Sequence, residues 1–203
     1  MKSYSQDMED IIIRSILPDV KEGRYIDIGA NDPEIYSVTK AFYEMGWKGI
    51  NIEPLPDKFK LLQEKRPLDI NLNIGIGSKH DRKKLYVNGM GSSFDDFTIS
   101  YAHMEQSETI DVEIFTLAEI IDEYVDFPVD FCKIDVEGFE KEVLLGVDWE
   151  KFRPTLFIME STIAGTDIPN YENWEYILLQ NGYTLKTTHG INRYYVVDNY
   201  NLL

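Results

Sequence analysis

Apolar residues recur along this chain with two periods, and the switches between them predict its elements. Over 7–17, DMEDIIIRSIL, they mark a short amphipathic helix with Asp7, Glu9 and Asp10 in its first turn and Pro18 beyond its end. Over 24–29, RYIDIG, they take alternate positions, the period of a strand. Helical spacing returns at 38–47, VTKAFYEMGW, closed by Gly46. A second strand follows at 49–54, GINIEP, then a helix at 57–66, DKFKLLQEKR, ended by Pro67. The third strand, DINLNIGIG at 69–77, alternates strictly. This succession predicts a parallel sheet flanked by helices and joined by right-handed crossovers.

The middle breaks the rhythm. KKLYVN (83–88) and IDVEIF (110–115) read as strands around a polar stretch, 89–109. Thr116 and Glu119 form a capping box at the head of a helix over 116–125. Alternation then resumes with strand 129–136, helix 138–147, strand 155–161 and a helix over 171–182 capped by Asn170 and closed by Gly182. A hairpin, 183–188 and 193–199, ends the chain and makes the sheet mixed. No repeat or linker divides the 203 residues, so a single domain is expected.

Charge narrows the function classes. The net charge is −16, with 36 acidic and 20 basic residues. Such a surface disfavours nucleic acid and anionic membranes as partners. KHDRKK, 79–84, is the only dense basic run and reads as a solvated turn. No stretch approaches the roughly 20 apolar residues of a membrane span, and the N-terminus lacks a signal-peptide core. The lone Cys132 lies in a strand and fits a small buried hydrophobe in a reducing, cytoplasmic setting.

The first candidate site is the turn after the first strand, DIGAND. Ligands of open α/β sheets bind beyond the carboxyl ends of the strands. Gly29 and the small Ala30 let a ligand approach, and Asp27 and Asn31 supply polar groups. Glu53 ends the second strand, where a carboxylate can accept from both ribose hydroxyls. A nicotinamide cofactor would need a glycine-rich pyrophosphate turn. Here Asp32 and Glu34 stand in that place and would repel it. S-adenosylmethionine carries no phosphate, so the acidic turn favours it.

The second candidate site is KIDVEGFEKEVLLG, 133–146, where Asp135 and Glu137 end the fourth core strand. Two carboxylates this close raise each other's pKa and suit proton abstraction. With Glu160, at the end of the next strand, they could instead hold a cation. A plainer reading has Glu137 capping the following helix and Asp135 bonded to backbone. GMGSSF, 89–94, offers an acceptor loop or a simple turn. His189, in the hairpin, is a second candidate base or a solvent-facing histidine.

YIDIGAND, INIEPLP, NIGIG and KIDVEGFEKEVLLG, with the early YSQDMED, together resemble the FkbM family of S-adenosylmethionine-dependent methyltransferases over most of the chain. The most specific element is DxEGxExxxLxG, Asp135 to Gly146. The resemblance implies a class I methyltransferase fold: a Rossmann-like, seven-stranded mixed sheet in the order 3-2-1-4-5-7-6 with helices on both faces. It implies O-methylation of a sugar, a glycan or a related small metabolite.

Cofactor positions carry over as Asp27, Gly29, Ala30, Asn31, Glu53 and Asp135, with Asn73 reaching the adenine. Ser5 and Gln6 match an early Ser-Gln pair, so residues 1–20 are expected to close over the cofactor. Asp135 and Glu137, with His189 behind them, are the catalytic candidates, and Asp135, Glu137 and Glu160 the candidate magnesium or manganese ligands. The insertion 83–115 is the expected acceptor site. Two rivals remain at this point: a nucleotide-cofactor oxidoreductase, and a binding module without chemistry. The sequence leaves the oligomeric state open.

Overall fold

Along the chain of this computed structural model, which describes residues 1–163, 166, 168–198 and 200, seventeen α-helices and strands succeed one another. They are α1 (Glu9–Ile16), β1 (Arg24–Ile28), α2 (Lys40–Glu44), β2 (Lys48–Ile52), α3 (Pro56–Lys65), β3 (Ile70–Leu72), β4 (Gly75–Ile76), β5 (Asp81–Tyr86) and α4 (Asp96–Tyr101). Then come β6 (Thr109–Phe115), α5 (Leu117–Tyr124), β7 (Phe131–Ile134), α6 (Glu140–Leu145), β8 (Leu156–Glu160), α7 (Glu175–Gln180), β9 (Tyr183–His189) and β10 (Asn192–Val197). Residue 199, the last of the strand expected over 193–199, lies outside the described residues.

Seven strands form the main sheet in the order β3-β2-β1-β7-β8-β10-β9. Counted within that sheet alone, the order is 3-2-1-4-5-7-6, as the resemblance implied. Strands β1, β2, β3, β7 and β8 pair in parallel, and β10 runs antiparallel to both β8 and β9. The central strands are buried on both faces, so their side chains alternate between two apolar layers. Ile26, Ile28, Cys132, Ile134, Phe157 and Met159 face α5, α6 and α7. Tyr25, Phe131, Leu156 and Ile158 face α1 and α2, where Ile13, Phe42 and Trp47 meet them. Each such side chain contributes about 1.5–3 kcal/mol by leaving water.

The strand expected over 69–77 is two strands. β3 ends at Leu72, where the Asn73 side chain donates to the carbonyls of Glu53 and Pro54 at 2.9 Å each. The chain then leaves the main sheet, and β4 pairs with β6 in a separate three-stranded sheet, β4-β6-β5. This small sheet holds the segment read as an insertion. Its linking stretch contains α4, which polarity had concealed; Asp95 caps it by accepting from the Thr98 amide at 2.7 Å. The Thr116–Glu119 capping box is present on α5. The helix expected over 171–182 is broken at the buried Trp174, and Asn170 offers no side-chain cap.

Candidate functional site

All the parallel strands of the main sheet deliver their carboxyl ends to one edge, and a cavity of about 650 Å³ opens there. Its floor is the turn after β1. Gly29 has φ of +78°, and a Cβ at this position would overlap the Asp135 carbonyl oxygen. Glycine is therefore required by the neighbouring strand, whatever ligand approaches. The amides of Gly29 and Ala30 donate to the Ile52 carbonyl at 3.0 and 3.1 Å. Asn31, also left-handed at φ 48°, donates its amide to Glu53 Oε2 at 2.8 Å, while the Leu55 amide donates to Oε1 at 2.8 Å. Burial pushes the Glu53 carboxyl up to about 7 against these two amides.

Asp27 lines the same floor, its carboxylate almost fully buried. Thr39 Oγ1 donates to Oδ2 at 3.0 Å, and Lys133 Nζ lies 3.2 Å from Oδ1. Lys133 also lies 3.3 Å from Asp135 Oδ2 and donates to the Gly29 carbonyl at 3.0 Å.

The acids that argued against a pyrophosphate are paired. Asp32 accepts from the amides of Glu34 and Ile35 and from Lys58, and Glu34 meets Lys40 and Lys65. Their repulsion of an anion is therefore smaller than the sequence implied. What separates it from a pyrophosphate turn is connectivity: the turn does not run straight into a helix, since α2 begins only at Lys40, with its N-cap Thr39 bonded to Asp27.

One wall is acidic. Single carboxylate oxygens of Asp135, Glu137 and Glu160 all lie within 4.8 Å of one another. Glu137 holds φ of 54°, and Gly138 follows at φ 100°, close against Thr98 and Asp95 of the middle segment. One oxygen each of Glu137 and Glu160 is buried without a hydrogen-bond partner. Burial, then the charges of Asp135 and Glu140, pushes Glu137 up to about 8. Burial and the same acid cluster push Glu160 well above the carboxylate range. The residue that caps the turn is Glu140 rather than Glu137, accepting from the amides of Val136 at 3.2 Å and Gly138 at 3.1 Å. Its carboxyl is raised by burial to about 7.

The rest of the wall comes from three segments. Asn88 to Ser92 and Phe94 close one side, and Ser93 Oγ donates to the Glu137 carbonyl at 2.7 Å, fixing this loop to the acidic turn. Gln6 and Glu9 close another. Glu9, almost fully buried, accepts from Asn192 Nδ2 at 3.0 Å, so the first helix is tied to β10 across the cavity. Apolar Ile74, Gly75 and Ile76 line the side beyond Glu53.

The structure thus brings Gln6, Asp27, Gly29, Ala30, Asn31, Glu53, Asp135, Glu137 and Glu160 to one cavity. Three expected residues lie elsewhere. Asn73 is exposed, its side chain spent on two carbonyls. Ser5 donates to Asp10 and bridges to Tyr36, a residue of the cavity wall, without lining the cavity itself. His189 is exposed at the end of the edge strand β9, because the hairpin turns Ile191 and Asn192 inward instead. Lys133, Glu140 and Glu9 escaped the sequence reading as site residues. A lysine inside a fully buried strand, and an acid on an apolar helix face, were the available signals.

The model of the methyltransferase FkbM domain matches residues 27–185, most of the chain. The chain belongs to the FkbM methyltransferase family. The FkbM match begins at Asp27 and takes in the floor, Glu53 and the whole acidic wall; Gln6, Glu9 and Asn192 lie outside it. Among solved structures, methyltransferase FkbM from Methylobacillus flagellatus KT superposes with a TM-score of 0.59 at 18% identity, over 95% of this chain and 48% of that one. This chain therefore spans about half the length of that FkbM protein. A TehB-like SAM-dependent methyltransferase from Corynebacterium glutamicum gives a TM-score of 0.52 at 8% identity, covering 94% of this chain and 87% of that one. Likeness at such identities shows the fold, a class I methyltransferase fold. No curated protein matches the chain. Among the described residues no helix is long and apolar enough to cross a membrane.

Proposed function

We propose that this domain moves the methyl group of S-adenosylmethionine to a hydroxyl oxygen of a sugar, a glycan or a related small metabolite. The observation that carries the reading is that Glu53 and the acidic wall open onto one cavity from opposite sides of the β1 turn. Glu53 would take the ribose hydroxyls, the 29–31 turn and Asp27 the methionine end, and Ile74 to Ile76 the adenine. Residues 1–20 would cover the cofactor, and 83–115, through the loop from Asn88 to Phe94, would hold the acceptor.

In the transfer the sulfur–methyl bond breaks as the oxygen–methyl bond forms, and S-adenosylhomocysteine leaves with the electron pair on sulfur. Positioning supplies most of the rate. The hydroxyl proton goes to Glu137, whose carboxyl near 8 is a better base than a solvated glutamate. Asp135, beside it, orients the hydroxyl.

A second activation mode is favoured by the unpartnered oxygens of Glu137 and Glu160. With Asp135 they form an all-oxygen donor set that suits magnesium or manganese. Such an ion would lower the pKa of a bound hydroxyl. The lone buried Cys132 agrees with a reducing, cytoplasmic setting.

The test is incubation with S-adenosylmethionine against a panel of glycans, nucleotide sugars and small polyols, with and without magnesium. The expected result is acceptor-dependent S-adenosylhomocysteine and an O-methyl resonance in the product. A methyl on carbon or nitrogen would overturn the reading.

A further inference from the structure

Lys133 stands where the strand pattern calls for an apolar residue. In register it is flanked by Asp27 on β1 and Ile158 on β8, within the layer that holds Tyr25, Phe131 and Leu156. A lysine this deeply buried needs a reason, and Asp27 supplies one as its counter-ion. Pairing with Asp27 accounts for only one of its contacts. Its ammonium carries three donors, and three acceptors face it: Asp27 Oδ1 at 3.2 Å, Asp135 Oδ2 at 3.3 Å and the Gly29 carbonyl at 3.0 Å. These belong to the strand, the cofactor turn and the acidic wall.

The Gly29 contact matters most. Glycine has no side chain to settle the orientation of its peptide planes. Its amide is held by the Ile52 carbonyl, and its carbonyl is held by Lys133. We propose that Lys133 is a positioning residue that sets the path of the 29–31 turn and the placement of Asp135 together, so that cofactor and acceptor sides are kept in register by one buried cation. The inference rests on the reading that this turn binds S-adenosylmethionine. No ligand atom need touch Lys133.

The test compares Asp27→Asn with Asp27→Asn/Lys133→Met. The first variant removes the carboxylate that a simple counter-ion would serve; the second then removes the lysine with no buried Asp27 charge left unpaired. Lys133→Gln in the same background serves if the methionine lowers the melting temperature by more than a few degrees. Each is titrated with S-adenosylhomocysteine and assayed for turnover.

The positioning role predicts that loss of Lys133 weakens S-adenosylhomocysteine at least tenfold beyond Asp27→Asn, and lowers kcat further, at matched melting temperature. Equal affinity and turnover within twofold would make Lys133 a counter-ion only and overturn the inference. No binding by the parent protein would overturn the cofactor reading itself, and the inference with it.

Discussion

The amide of Asn31 donates to Glu53 Oε2 at 2.8 Å, so a carboxylate from the end of β2 closes the turn after β1. The Leu55 amide occupies the other oxygen. Replacing Glu53 by Gln forces an NH2 group against one of these two donors. S-adenosylhomocysteine affinity should fall by about 10- to 100-fold, on the order of 1.4–2.8 kcal/mol. Isothermal titration of Glu53→Gln checks this, and unchanged affinity would remove Glu53 from the cofactor site.

Cofactor affinity should rise with pH. Burial holds Glu53 up to about 7, and ribose hydroxyls donate to the ionised form, so binding expels a proton from any molecule in which Glu53 is still protonated. Below pH 7 the affinity gain approaches about tenfold per pH unit, and it levels off above 8. Titrations at pH 6 and 8, in buffers of different ionisation enthalpy, measure both the gain and the proton. A flat profile in the parent protein would contradict the assignment.

The acidic wall predicts an unusual stability profile. Glu137 and Glu140 are raised to about 8 and 7, and Glu160 is also raised, so the folded state binds more protons than the unfolded chain. Stability is therefore greatest below the ordinary glutamate pKa and falls as pH climbs to about 8. A thermal melt series from pH 5 to 8.5 should show the decline, and Glu137→Gln should flatten it. Magnesium or manganese should restore the melting temperature at pH 8 more than at pH 6. A cation effect that is absent, or equal at both values, would count against the cation site.

Two variants separate the candidate bases. Glu137→Gln should lower kcat by about 10²–10⁴ while S-adenosylhomocysteine affinity stays within about twofold. His189→Ala, at an exposed position away from the cavity, should leave kcat within about twofold. Reversed outcomes would return the base role to His189.

The main sheet was legible because its strands are apolar and short-linked. The order of its seven strands came from the motifs of the resemblance, not from periodicity. The break at Asn73 was hidden, since strict alternation in DINLNIGIG continues through a change of sheet. Alternation reports which residues are buried and is silent on which strand pairs with them. At the site, Gly29, Glu53, Asp135 and Glu137 could be read because each ends a strand at one edge of the sheet.

Lys133 could not be assigned a role because its partners, Asp27 and the Gly29 carbonyl, are more than a hundred residues away in sequence. His189 misled because a hairpin loop's side cannot be read from composition: the same turn that exposes it carries Asn192 inward.

Everything proposed for this domain depends on S-adenosylmethionine binding in the cavity at the β1 turn. Calorimetric titration of the full chain with S-adenosylhomocysteine at pH 8 tests it most directly. One site is expected, with a Kd on the order of micromolar, about −8 kcal/mol, displaced by S-adenosylmethionine and indifferent to NADH. Absence of binding at millimolar ligand, or binding of NADH in its place, would contradict it.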